Sequence, residues 1–139
     1  MQIMNHVSGQ PVGLAVGDEL VKPGIPAHKM VYVGPIGPRG EDVVDPAKGQ
    51  PAHFVHLDLI LDHDRLLVGQ RGTKDWEAVR DIQARAWEVV RRQVVNRTLD
   101  QNCEHIVSYI RQGKAESPQL RLGVGVGLAL LFLFTLGRA

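Results

Sequence analysis

The order of local patterns in this 139-residue chain, strand-like segments first and helical ones after, predicts an α+β fold. A small antiparallel β-sheet would pack against helices. Three features carry that expectation. Between Val16 and Gly69 the apolar residues recur mostly with period two, between turns rich in Pro and Gly. From Trp76 the period becomes that of a helix. Apolar residues make up 44% of the chain and charged residues 22%, the composition of an ordinary globular domain whose length fits one modest core.

In chain order, residues 1–15 show no strong period and read as a flexible N-terminal arm. Val16–Lys22 (VGDELVK) alternates well enough for a first strand, and Pro23-Gly24-Ile25-Pro26 turns the chain. His28–Gly34 (HKMVYVG) is the clearest strand, with Val31, Tyr32 and Val33 β-branched or aromatic. Pro35, Gly37, Pro38 and Gly40 punctuate the next loop, and Glu41–Asp45 reads as the return strand of a hairpin. In Ala52–Gly69, Val55, Leu57, Leu59 and Leu61 alternate with Phe54, His56, Asp58, Ile60 and Asp62, which predicts one long strand or a pair of strands.

Val79, Ile82, Ala86 and Val90 then form a helical stripe. Asp75 is placed to cap that helix, Glu77 suits its first turn, and Arg91 and Arg92 its last. A second helix runs through NCEHIVSYIRQ. Asn102 is placed at its start, Ile106, Val107 and Ile110 give its apolar face, and Gly113 ends it. No internal repeat or low-complexity tract stands out. The expected domain spans residues 16–113, followed by a linker over 114–121.

Composition excludes several function classes. A net charge of +1 argues against a general nucleic-acid binder. One cysteine forms no internal disulfide and no zinc site built on cysteine pairs, so nothing points to an oxidising compartment. The sequon at Asn96 is accordingly expected to carry no sugar. Met1 to Gln10 has no apolar run of the secretory type, so no signal peptide is expected.

Leu122 to Gly137 is different: it carries no charge and is flanked by Arg121 and Arg138. As a helix it would reach roughly 24 Å, a little short of a bilayer core of about 30 Å, a gap that snorkelling arginines and local thinning can close. It reads as a hydrophobic C-terminal membrane-anchor helix; the competing reading is a buried helix of a soluble domain. Gly123 and Gly127 have the spacing that lets helices approach closely.

The expected chemistry centres on Cys103, the single cysteine, in the first turn of the second helix. Unpaired N–H groups and the positive end of the helix dipole favour a thiolate there. An inert core cysteine is the alternative. A nucleophile needs a base. His105, two residues on, points about 200° away round the helix and is poorly placed. The chain also offers His6, His28, His53, His56 and His63, and His28 opens the best strand.

The ordered set GDELVK from Gly17, HKMVYVG from His28 and NCEHIV from Asn102, with the apolar tail, resembles the lecithin–retinol acyltransferase-like family. That family includes the phospholipase A/acyltransferases of the H-rev type and belongs with the permuted papain-like thiol hydrolases. The resemblance covers about residues 14 to 137. It implies a permuted papain-like fold and a membrane-associated thiol acyltransferase or phospholipase A acting on glycerophospholipid. Cys103 would attack the ester and His28 would act as base. No metal or organic cofactor is implied. The implied partners are a phospholipid membrane, met through the C-terminal segment on the cytoplasmic face of an intracellular membrane, and a host or cellular protein; nucleic acid is not expected.

The sequence departs from the family pattern in places. The family's third residue is a second histidine about a dozen positions after the first, where this chain has Gly40. If the preceding loop carries an insertion, Asp45 takes the orienting role, which a carboxylate fills in other triads; His56 is the competitor. Lys29 stands where the cellular enzymes show an aromatic residue, and Ile106 where they show Phe. Some picornaviral 2A proteins share the two boxes and the hydrophobic tail in a compact form. That resemblance implies the alternative reading, a catalytically weak or inactive protein acting through host-factor or membrane interaction.

Overall fold

The computed structural model describes residues 4–5, 13–24, 27–47, 49–61, 65–94 and 102–114. They form an α+β fold. The strands are β1 (Met4–Asn5), β2 (Glu19–Lys22), β3 (His28–Tyr32), β4 (Val43–Asp45), β5 (His53–Val55) and β6 (Leu67–Val68). The helices are α1 (Leu57–Leu61), α2 (Trp76–Arg91) and α3 (Asn102–Gln112). In the sheet the strands follow the order β1-β6-β2-β3-β4-β5. Every pairing is antiparallel except β1 on β6, which is parallel.

Alternation along the central strands builds two cores. Val31 and Val33 of the β3 segment and Val44 of β4 face α2 and α3, where Ile82, Ala86, Val89, Ile106, Val107 and Ile110 close on them. Leu20, Met30, Val43, Leu66 and Val68 form a second cluster, against which Leu57, Ile60 and Leu61 of α1 pack. Covering both faces explains why β3 reads as a near-continuous apolar run. Each fully buried Ile or Val contributes about 1.5–3 kcal/mol, so the three on α3 hold that helix on the sheet.

The α2 start follows its sequence signals: the Asp75 side chain accepts from the Ala78 N–H. Gly113, at φ 73°, ends α3, its N–H meeting the Tyr109 carbonyl. The left-handed backbone there suits glycine.

Residues 52–69 correct the sequence expectation. β5 and β6 do form, but α1 lies between them, and they pair at opposite sides of the sheet, β5 on β4 and β6 on β2. The reason is local. The Asp42 carboxylate accepts the Leu57 N–H at 2.8 Å, capping a helical turn. Leu57, Ile60 and Leu61 then face inward at helical spacing while Leu59 is exposed. The span read as an arm also contributes β1. The expected apolar C-terminal segment, His6 and His63 lie outside the described residues. Among those described, no helix is long and apolar enough to cross a membrane.

Candidate functional site

Extending the β3–β4 register past Val31↔Val44 sets Asp45 opposite Met30, so His28 is its diagonal neighbour on the same face. That geometry brings His28 Nε2 to 2.6 Å from Asp45 Oδ1. Both side chains remain partly open to solvent, at 31% and 20%.

The ring also lies close enough to Cys103 for each group to influence the other's titration, and with Nε2 held by Asp45, Nδ1 is the nitrogen left for the thiol. Cys103 is the second residue of α3 and 3% exposed. The backbone N–H groups of Lys29 and Glu104 lie near its sulfur and favour the thiolate.

These contacts shift both groups toward an ion pair. The Asp45 hydrogen bond, followed by that of Cys103, raises His28 to about 9, against the opposing effect of burial. Burial pushes the Cys103 thiol up, but the His28 hydrogen bond, the two backbone N–H groups and the nearby imidazolium together bring it below its usual range.

Lys29 continues the cluster on the helix-facing side of β3. Its Nζ lies 3.0 Å from Glu104 and 3.8 Å from the buried Glu19. The sequence marks Lys29 only as a departure from a family pattern. The ion pairs depend on the Val21↔Lys29 register, which cannot be read before strand pairing is known.

The remaining histidines stand elsewhere. His56 Nε2 lies 3.9 Å from Glu41, and His53 Nδ1 meets the Pro51 carbonyl. His105 is buried, and neither ring nitrogen has a hydrogen-bond partner. The structure therefore joins Cys103, His28 and Asp45, and leaves His56 and His105 out. Among the described residues, no group of three or more His, Cys, Asp or Glu could hold a metal ion.

A second network holds α3 in place. Arg85 caps the helix end, donating to the carbonyls of Ile110 and Arg111. Arg111 donates to the carbonyls of Gly17 and Arg71 and to Gln70. Beside it, Asp18 is fully buried and accepts the N–H groups of Ala15 and Gly72, with Arg71 Nε at 3.3 Å. Gly72 is required there, since a Cβ would fall 2.0 Å from the Val16 carbonyl oxygen.

Compared with protein families, with curated proteins and with solved structures, the chain matches none of them.

Proposed function

We propose that the chain is a membrane-associated thiol acyltransferase or phospholipase A of permuted papain-like architecture, acting on glycerophospholipid esters. The observation that supports it best is the His28 ring held at 2.6 Å by Asp45 while it faces a thiol at the start of a helix.

In this reading the Cys103 thiolate attacks the ester carbonyl carbon. The carbonyl oxygen becomes the oxyanion, and unpaired N–H groups of the first turn of α3 are its natural donors. As the tetrahedral intermediate collapses, the C–O bond breaks. The His28 imidazolium gives its proton to the departing lysophospholipid alkoxide, leaving the acyl thioester on Cys103. Neutral His28 then takes a proton from water or an amine, which attacks the thioester. The products are a fatty acid or an amide and the restored thiol–imidazole pair. Asp45 keeps the ring in one tautomer throughout.

The apolar run Leu122–Gly137 serves as the anchor, with the domain on the cytoplasmic face of an intracellular membrane. Deleting residues 122–139 should abolish partition into phosphatidylcholine vesicles.

The decisive experiment incubates the full chain with phosphatidylcholine labelled in its acyl chains and seeks the labelled thioester by mass spectrometry of the Cys103 peptide. Product release undiminished in Cys103→Ala would overturn the proposal. One observation favours the alternative interaction role: Cys103 is 3% exposed, a tight entry for a lipid ester. In that role Cys103→Ala leaves membrane or protein recruitment intact while no thioester forms in the parent chain.

A further inference from the structure

Helix α2 carries a short repeat with a spacing of eleven residues. Trp-Glu-x-Val-Arg occurs at Trp76–Arg80 and again at Trp87–Arg91. Eleven residues are close to three helical turns, so the two units share a face. In each unit the arginine stacks on the tryptophan four residues before it, at 4.9 Å for Arg80 on Trp76 and 5.4 Å for Arg91 on Trp87.

Their surroundings differ. Trp76 is exposed. Trp87 is half-buried: its Nε1 donates to the Ile36 carbonyl and its ring meets Phe54 edge-on. Beside it lies an open cavity of about 790 Å³, lined by Ile36, Arg85, Trp87, Glu88, Arg91 and Arg92 among others.

Three arginines face one carboxylate there, and the carboxylate is already engaged. Glu88 accepts from the Tyr109 hydroxyl at 3.1 Å and from Arg92 Nη2 at 3.2 Å. Arg85 is spent on the end of α3. Arg91 has no ion-pair partner among the described residues. Arg92 Nη1 is buried with no hydrogen-bond partner. A buried guanidinium donor without an acceptor is unfavourable, and an anion in the cavity, once the Arg92 side chain turns toward it, would supply the acceptor.

We propose that this cavity binds a phosphate monoester whose apolar or planar body lies against Trp87 and Ile36. A doubly charged phosphate matches a cavity lined by more than one guanidinium group, because its oxygens can accept from several forks. Trp87 and Ile36 line the cavity beside the arginines, so a ligand with an apolar or planar body finds a contact there. A soluble organic phosphate and a phosphatidate headgroup share this chemistry.

The test measures binding of the full chain to phenyl phosphate by tryptophan fluorescence, with inorganic phosphate as competitor. In parallel it measures binding to phosphatidylcholine vesicles with and without phosphatidic acid. Arg91→Gln and Arg92→Gln should each weaken binding about tenfold or more, the loss of one charge-assisted hydrogen bond. Arg80→Gln, the same stacked pair outside the cavity, should leave it unchanged. Phenyl phosphate binding that inorganic phosphate displaces assigns a soluble ligand; binding to phosphatidic acid vesicles alone assigns the headgroup; either sustains the site. Should neither probe bind, or should Arg80→Gln weaken binding as much as Arg91→Gln, the proposal fails.

Discussion

Asp18 and Asp45 are two carboxylates on the same sheet with opposite employment. Asp18 is fully buried, and its oxygens are taken by two backbone N–H groups and the Arg71 guanidinium. Asp45 is one-fifth exposed and binds a titratable ring, which in turn binds a thiol. A buried charge surrounded by fixed donors has nothing left to exchange, so it serves geometry. A partly exposed chain of acid, imidazole and thiol can redistribute protons when a ligand arrives. Burial and saturation together, more than residue type, separate the structural carboxylate from the chemical one.

The sharpest way to break this contrast is Cys103→Ala. Formation of an acyl thioester and alkylation by iodoacetamide should both be lost, while a thermal melt changes little, since the substitution removes only a sulfur atom from the core. Next is Asp45→Asn. By frustrating the His28 tautomer it should lower turnover by about two to four orders of magnitude, and it should move the pH midpoint of Cys103 alkylation upward. An unchanged midpoint would mean that Asp45 does not act through His28.

Asp18→Ala reverses the pattern. It leaves the Ala15 and Gly72 N–H groups without an acceptor and should cost about 2–4 kcal/mol in a denaturant titration. The alkylation midpoint of whatever protein remains folded should stay put. Stability lost equally in Asp45→Ala would erase the distinction between the two carboxylates.

A smaller effect is expected in the pH dependence of stability. His28 titrates near 9 in the folded chain against an ordinary 6.5. Because the value is raised, its stabilisation is complete below pH 6.5 and is lost as pH rises toward 9. Denaturant midpoints in Cys103→Ala remove the opposing titration of the thiol and keep Asp45, the larger cause of the His28 shift. They should fall from pH 6.5 upward, over a narrower window than in the parent chain, because the Cys103 contribution to the shift is gone. Adding Asp45→Asn should flatten the fall.

Much of this arrangement was legible in the sequence because it rests on local chemistry. The Asp75 cap, the α3 start at Asn102 and the glycine stop at Gly113 are decided within a few residues. Asp45 as the contact of His28 was named from the resemblance alone, and the β3–β4 register is what makes the two diagonal neighbours. The stretch from Val55 to Leu61 misled because Leu57, Leu59 and Leu61 alternate while Leu57, Ile60 and Leu61 also fit a helix. The choice came from Asp42, fifteen positions earlier, through one hydrogen bond to Leu57. Pairing of β6 with β2, and the junction of Lys29, Glu19 and Glu104, are likewise long-range, and no period in the chain records them.

Lys29 supplies the smallest predicted effect and the most exacting one. Its ammonium is close enough to Cys103 to feel the thiolate. Yet its charge is divided between Glu104 at 3.0 Å and Glu19 at 3.8 Å, so little of it is left for the sulfur. Its backbone N–H, which favours the thiolate, survives any side-chain change. Lys29→Met should therefore raise the alkylation midpoint of Cys103 slightly, by less than Asp45→Asn does. The same variant should lose stability, because Glu19 is buried and would be left without its cation, and Lys29→Arg should recover most of it. If Lys29→Met instead moves the midpoint further than Asp45→Asn, the thiolate is held by the lysine rather than by the imidazole. Cys103 would then belong with Asp18, as a charge fixed by its surroundings, and not with the chain that begins at Asp45.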